Sequence, residues 1–215
     1  MAPSYKVIYF NFTGRGEPIR MILTYGGIPF EDSRFEMTEW PKVKPTTPLG
    51  QVPILEIDGK RYTQTMPICR YLGRLLKIDG KDMLEDMAID SAVEIIWDIL
   101  KIAYERAMGG GNEEKKKQLL DKLHEQMPVL LGKFEEDTKK NGFIATNKLS
   151  WADLVFLCGY EDMENLLAGE NPFAKYPHLQ KLKNKLLENK NIKEYLLKRP
   201  TNTMMTAYNL KNDLK

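Results

Sequence analysis

A chain of 215 residues, 42% of them hydrophobic, is long enough for one large domain or two small ones and can bury a core without covalent staples. Its 32 Lys and Arg face 30 Asp and Glu, and a net charge of +2 is too near balance to draw a polyanion, so no nucleic-acid partner is expected. Cys69 and Cys158 lie far apart without CxxC spacing and His124 and His178 stand alone, which points away from a disulfide framework or a zinc site and toward small buried thiols in a reducing compartment.

The opening MAPSYKVIYF has no basic flank followed by an apolar run of ~7 to 15 residues, and no stretch reaches the ~18 apolar residues that span a bilayer. A soluble, unsecreted, cytoplasmic protein with no membrane partner is expected. Residues 5–10, YKVIYF, read as a short apolar strand. EPIRMILTYGG from Glu17 reads as a helix, with Pro18 in its first turn and glycines at its end. A second strand follows near 29–35, then VPILEI at 52–57, the turn Asp58-Gly59 and a strand at 61–63, so the third and fourth strands form a hairpin. A helix from Met66 to about Leu76 closes a small α/β unit of order β-α-β, a connection, then β-β-α.

After the GKD turn at Gly80 no alternating pattern recurs and helical stripes replace it. Ile89, Ala92, Val93, Ile96, Ile99, Leu100 and Ala103 form one stripe. After GGGN at Gly109, Leu119, Leu120, Leu123, Met127, Leu130, Leu131 and Phe134 form another, with Pro128 expected to kink it and EEKKKQ a solvated face. In LSWADL, Ser150 caps the amide of Asp153, Asp153 reaches back, and Leu149 staples against Leu154. Two shorter helices are expected at 178–188 and 192–198, and Pro200 is expected to end regular structure. Division into domains at 1–79 and 80–215, the second all-helical, follows.

Five pieces of this sequence occur together in one known order: YKVIYFNFTGRGEPIR, Trp40-x-x-x-Lys44, GQVPILEIDG from Gly50, TQTMPICRYLGR from Thr63, and KLSWADLVF. With them the chain resembles the cytosolic glutathione transferase family over essentially its whole length, in particular the sigma class of invertebrate enzymes and haematopoietic-type prostaglandin D synthases. The resemblance implies a thioredoxin-like domain (β-α-β-α-β-β-α) that binds glutathione, followed by an all-α domain that holds a hydrophobic electrophile. No single piece is decisive, since strands, turns and capping boxes recur in unrelated folds.

The chemistry needs glutathione's thiol as thiolate, and a free thiol of pKa ~8.5 is only a few per cent ionised at neutral pH. Tyr9 matches the family's catalytic tyrosine, whose hydroxyl donates to the sulfur; Arg15 matches an arginine that adds a fixed positive charge near it. Tyr5 and Arg20 read as structural. Trp40 and Lys44 match residues that bind the glycine carboxylate, while Gln64 and Thr65 precede a helix whose amides can hold the γ-glutamyl carboxylate. Thr65 stands where the family usually has Ser, and keeps both hydroxyl and capping ability. Val52-Pro53 matches the family's cis-proline, with Val52 pairing to the cysteinyl segment and Gln51 touching the γ-glutamyl part. Asp98 matches an acid reaching the γ-glutamyl ammonium across a homodimer interface. Trp97 stands where the prostaglandin synthases carry an acid, so no metal is expected.

Phe10, Phe12, Leu100, Tyr104 and Met108 are candidates for the apolar substrate wall. Conjugation to hydrophobic electrophiles such as lipid-peroxidation aldehydes, with peroxidase activity on organic hydroperoxides, is the leading expectation. Glutathione-dependent prostaglandin D isomerisation and a non-catalytic ligand-binding or crystallin-like relative remain alternatives. A dithiol redox role is excluded by the missing CxxC.

Overall fold

The computed structural model describes residues 2–108, 110–201 and 208–214. In β1 (Tyr5–Phe10) buried Tyr5, Val7 and Tyr9 alternate with half-buried neighbours, the period of a strand with one face in the core. It pairs in parallel with β2 (Glu31–Phe35), with α1 (Glu17–Tyr25) as the crossover, and antiparallel with β3 (Ile54–Ile57). A hairpin joins β3 to β4 (Lys60–Thr63), giving the order β2-β1-β3-β4. Asp58 and Gly59 both take positive φ, 49° and 80°, as a two-residue turn matched to strand twist requires. The second and third strands start later than expected, after Pro29 and Pro53, because proline has no amide for the ladder. Between β2 and β3 lies a short helix, α2 (Trp40–Val43), flanked by 3-10 turns, and α3 (Thr65–Leu75) closes the unit.

The rest is helical among the described residues: α4 (Met83–Met108), α5 (Glu113–Asn141), α6 (Trp151–Leu166), α7 (Pro177–Leu187) and α8 (Lys190–Lys198). Every residue of the Ile89 to Ala103 stripe is buried, and Leu123, Met127, Leu131 and Phe134 carry the buried part of the α5 stripe. Pro128 leaves α5 a single continuous helix; it sits on the exposed face, where water can take the carbonyl it frees. Pro200 does not end regular structure. A 3-10 turn, Leu210–Asp213, follows, with the Asn209 side chain accepting from the Lys211 amide and Leu210 fully buried. The remainder of the tail, 202–207 and 215, lies outside the described residues.

The α6 start is the expected reciprocal cap, with Ser150 as N-cap and Asp153 accepting from the Ser150 amide at 2.8 Å. Asp153 also accepts from the Ile144 amide at 3.0 Å, so one carboxylate orders both the helix start and the loop before it. The start of α6 is joined to α3 through Gly73, where a Cβ would stand 2.5 Å from Trp151 Cδ1, and to the turn after α3 through the Trp151 amide, which donates to Ile78 O at 2.9 Å.

A second joint is ionic. Glu17, at the first turn of α1, has no exposure, and its carboxylate meets Arg20 at 3.2 Å and Arg199 at 2.7 Å, while Tyr195 Oη donates to it at 2.9 Å. Arg199 also reaches Glu161 of α6 at 2.6 Å. Burial pushes the Glu17 pKa up, but Arg199, Arg20 and Arg34 outweigh it and hold the group at about 2 instead of 4.5.

Ser150→Ala is expected to lower stability by roughly 0.5 to 2 kcal/mol, and Asp153→Ala by more because it also strands the Ile144 amide. Turnover normalised to the folded fraction stays near wild type, and denaturant midpoints measured beside activity check both. Glu17→Gln leaves Arg199 and Arg20 under-compensated in the core, with an expected cost of about 3 kcal/mol or more at neutral pH. Because the folded-state pKa is depressed, this contribution is fully present above about 4.5 and is lost as pH falls toward about 2. The stability gap between wild type and variant, followed by urea titration at several pH values, narrows over that window.

Candidate active site

Tyr9 ends the buried face of β1, and the turn that follows is wrapped tightly around it. A Cβ on Gly16 would stand 2.4 Å from Tyr9 Cδ1, and one on Gly14, whose φ is +49°, would stand 2.8 Å from Tyr9 Oη. Only glycine permits that approach, so the two glycines flanking Arg15 serve close packing on the tyrosine. The Arg15 amide donates to Tyr9 Oη at 3.1 Å, and no described residue accepts the hydroxyl's own proton. Burial raises the Tyr9 pKa to about 12, so the phenol remains a proton donor at neutral pH.

Beside this turn lies a polar cleft of about 480 Å³ lined by Phe10, Arg15, Trp40, Gly50, Gln51, Val52, Pro53, Thr63, Gln64 and Thr65. The Val52-Pro53 bond is cis. Gln64 takes φ +73°, rare for a residue with a side chain, and its Nε2 donates to Gln51 Oε1 at 3.4 Å. The first turn of α3 has no side-chain cap, so its amides and the positive end of its dipole are available to an anion. Thr65 departs from the expected cap. It is the first helical residue, and its hydroxyl donates to Arg15 O at 3.1 Å, tying the Arg15 turn to α3. Lys44 is exposed and does not line the cleft; its stem passes within 3.4 Å of the position a Gly50 Cβ would take.

A second cavity, also about 480 Å³ and mostly apolar, opens on the other side of Arg15 and is lined by Tyr9, Phe10, Phe12, Gly14, Arg15, Met37, Lys101, Tyr104, Ala107, Met108 and Leu166. Of the proposed substrate wall it brings together Phe10, Phe12, Tyr104 and Met108. Leu100 is corrected: it is 1% exposed and belongs to the core, with its Cδ1 3.6 Å from where a Gly159 Cβ would stand. Met37, Lys101, Ala107 and Leu166 were missed. Lys101 and Ala107 lie three residues either side of Tyr104, so helical spacing signals them; Met37 and Leu166 come from distant elements with no local signal. Also missed was Asp162 of α6, fully buried, which accepts from Thr13 Oγ1 at 2.7 Å and from Tyr104 Oη at 2.5 Å. Burial raises its pKa to about 7.

Asp98 is exposed on α4 and lines neither cavity. Its neighbour Trp97 is buried, with the Arg15 guanidinium over its ring at 4.6 Å from the centroid. Cys69 and Cys158 are free and buried, and burial raises both thiols above their ordinary range. His124 and His178 each lie against one carboxylate, Glu170 and Glu135. Among the described residues no group of three or more His, Cys, Asp or Glu is placed to hold a metal.

An anion-ready helix end, a cleft rimmed by tryptophan and glutamines, and an apolar chamber that shares Phe10 and Arg15 with the cleft and contains Tyr9 suit a charged peptide thiol and an apolar second substrate. The family profile described as glutathione S-transferase, N-terminal domain, matches residues 16–75, and that described as glutathione S-transferase, C-terminal domain, matches 98–199. The chain is 40% identical over 200 residues to a glutathione S-transferase of Anopheles gambiae, covering 92% of this chain and 98% of that one. It is 34% identical to the hematopoietic prostaglandin D synthase of Rattus norvegicus, with the same coverage. The solved structure of prostaglandin synthase D of Nilaparvata lugens superposes with a TM-score of 0.85 at 39% identity, covering 92% of this chain and 99% of that chain. The cleft, the chamber and the likeness along both halves agree, and the chain belongs to the glutathione S-transferase family, enzymes whose co-substrate is glutathione.

Proposed function

We propose that this transferase is a cytoplasmic, metal-independent homodimer of the sigma class that detoxifies hydrophobic electrophiles, lipid-peroxidation aldehydes among them, by adding glutathione to them. The carrying observation is the seam between the two cavities, which share Arg15, and beside which the Arg15 amide donates to the Tyr9 hydroxyl on the apolar side. In this reading residues 1–79 bind glutathione and 80–215 complete the electrophile site. Tyr9 donates its hydroxyl proton in a hydrogen bond to the glutathione sulfur, and Arg15 adds positive charge, so the thiol releases its proton to water and the thiolate is stabilised.

Trp40 and Lys44 take the glycine carboxylate, Val52 pairs with the cysteinyl segment beside Pro53, and Gln51, Gln64 and Thr65 with the α3 amides take the γ-glutamyl end. Asp98 serves the ammonium group of the partner's glutathione. Phe10, Phe12, Tyr104 and Met108 hold the electrophile. The thiolate attacks an enal at its β-carbon and water returns a proton to the α-carbon. On a hydroperoxide it attacks the O–O bond, and a second glutathione completes the reduction to alcohol, water and glutathione disulfide. Prostaglandin H isomerisation is kept as a second reading, because several of the similar proteins carry a prostaglandin synthase name. Retention of Tyr9, Trp40, Lys44, Gln64 and Asp98 speaks against a purely structural, crystallin-like role.

Tyr9→Phe is expected to lower kcat about ten- to a hundredfold and raise the bound thiol pKa by about one to two units, the worth of one hydrogen bond to a charged group, with glutathione affinity nearly intact. Turnover over aromatic halides, enals, hydroperoxides and prostaglandin H decides the reaction. Prostaglandin H alone would favour the second reading, and tight glutathione binding without any turnover would overturn the enzyme assignment for this site.

Sedimentation is expected to give a species near twice the 24.9 kDa chain mass, and Asp98→Asn to weaken glutathione binding. A monomer that binds glutathione at full affinity would remove Asp98 from the site.

A further inference from the structure

The main chain of Arg15 is fixed from two sides: its amide donates to Tyr9 Oη at 3.1 Å and its carbonyl accepts from Thr65 Oγ1 at 3.1 Å. These contacts set where the side chain starts and leave its long, flexible stem free to sample many rotamers. The guanidinium nevertheless rests over the face of Trp97, with Cζ 4.6 Å from the ring centroid. That is within the ~6 Å over which the negative face of an indole attracts a cation.

Trp97 is 6% exposed, and its Nε1–H is buried without an acceptor among the described residues. A buried donor left unmade is unfavourable, so no hydrogen bond accounts for this residue's presence; what it offers is bulk and a face. The difference between a face and an acid matters here. A carboxylate at this position would also orient Arg15 but would cancel much of its charge. An aromatic quadrupole orients the cation and leaves its net charge for a third group. Arg15 and Phe10 are the residues shared by both cavity linings, so this cation lies where the two chambers meet. The other titratable groups on the apolar side are Tyr9, Tyr104 and Lys101.

We propose that Trp97 is a positioning residue for thiol activation: its indole face holds the Arg15 guanidinium at the seam between the cavities, with its positive charge undiminished. This rests on the role given to Arg15 above.

The test is the thiol pKa of bound glutathione, read by ultraviolet titration in wild type, Arg15→Ala, Trp97→Leu, Trp97→Phe and the Arg15→Ala/Trp97→Leu double variant. Arg15→Ala is expected to raise it by about one unit, the lower end of the effect of a nearby opposite charge. Trp97→Leu, which keeps the apolar bulk and removes the ring, gives most of that rise; Trp97→Phe, which keeps a ring face, restores a value near wild type. The double variant rises no further than Arg15→Ala. Affinity for S-methylglutathione, which has no thiol to ionise, stays unchanged in Trp97→Leu, whereas general damage to the cleft would lower it. A wild-type pKa in Trp97→Leu, or additive rises in the double variant, overturns the proposal while leaving Arg15 in its role. No shift in Arg15→Ala overturns both, with Lys101 the remaining cation of the chamber. Should Trp97→Leu not fold, Trp97→Met carries the same comparison.

Discussion

The guanidinium of Arg20 has no exposure, and it holds the turn on which the site is built. It donates to Phe10 O at 3.2 Å, Phe12 O at 3.1 Å, Glu17 at 3.2 Å and Asp32 at 2.8 Å, so the end of β1, the following loop, the start of α1 and the edge strand β2 share one buried cation. Taking a charge out of water is unfavourable by several kcal/mol unless nearly all its donors find acceptors. The consequence is positional. By donating to Phe10 O, Phe12 O and Glu17 together, Arg20 restrains the loop between Phe10 and Glu17, which packs on Tyr9 and carries Arg15 to the seam. Glu17 extends the constraint outward through Arg199 to Glu161, so α1, α6 and the segment after α8 are fixed by the same set of charges.

The loop is held from its other side by a buried acid. Asp162 accepts from Thr13 and Tyr104, joining the turn around Tyr9 to the α4 wall of the apolar cavity. Asp162 is fully buried and Tyr104 half-buried, an environment in which such bonds are strong and an unmet carboxylate is costly. A site held in this way needs little rearrangement when charge develops on a bound sulfur, which is the condition under which fixed dipoles and cations are most effective.

Division of labour follows from where each lining comes from. The polar cleft is built by the sheet unit alone, from the end of β1 to the start of α3. Residues from α4 and α6 enter only the apolar chamber, where Lys101, Ala107, Met108 and Leu166 face Phe12 and Met37. Substitution at Lys101, Ala107, Met108 or Leu166 can therefore reshape the second chamber without altering the residues that line the polar cleft. The exposed side chains of Met37 and Met108 at 47% and 64% suit this, since an unbranched thioether adapts to ligands of different outline.

The sequence by itself determined the order of the strands and the longer helices, the Asp58-Gly59 hairpin, the two core stripes of the helical unit and the reciprocal cap at Ser150 and Asp153. Each of these is set by residues within a few positions of one another, through the two-residue period of a strand, the 3.6-residue period of a helix, or a side chain reaching its own helix end. Its motifs also carried the family likeness and the cleft residues Trp40, Gln51, Val52, Pro53, Gln64 and Thr65. Only the tertiary structure decided that the Thr65 hydroxyl binds Arg15 rather than capping α3, that Leu100 turns into the core, and that the segment after Pro200 ends in a buried turn. The same is true of the meeting of Thr13 with Asp162, of Glu17 with Arg199, and of Arg15 with Trp97. These partners stand 149, 182 and 82 positions apart, and no local period records a contact that exists only once separate elements have packed together.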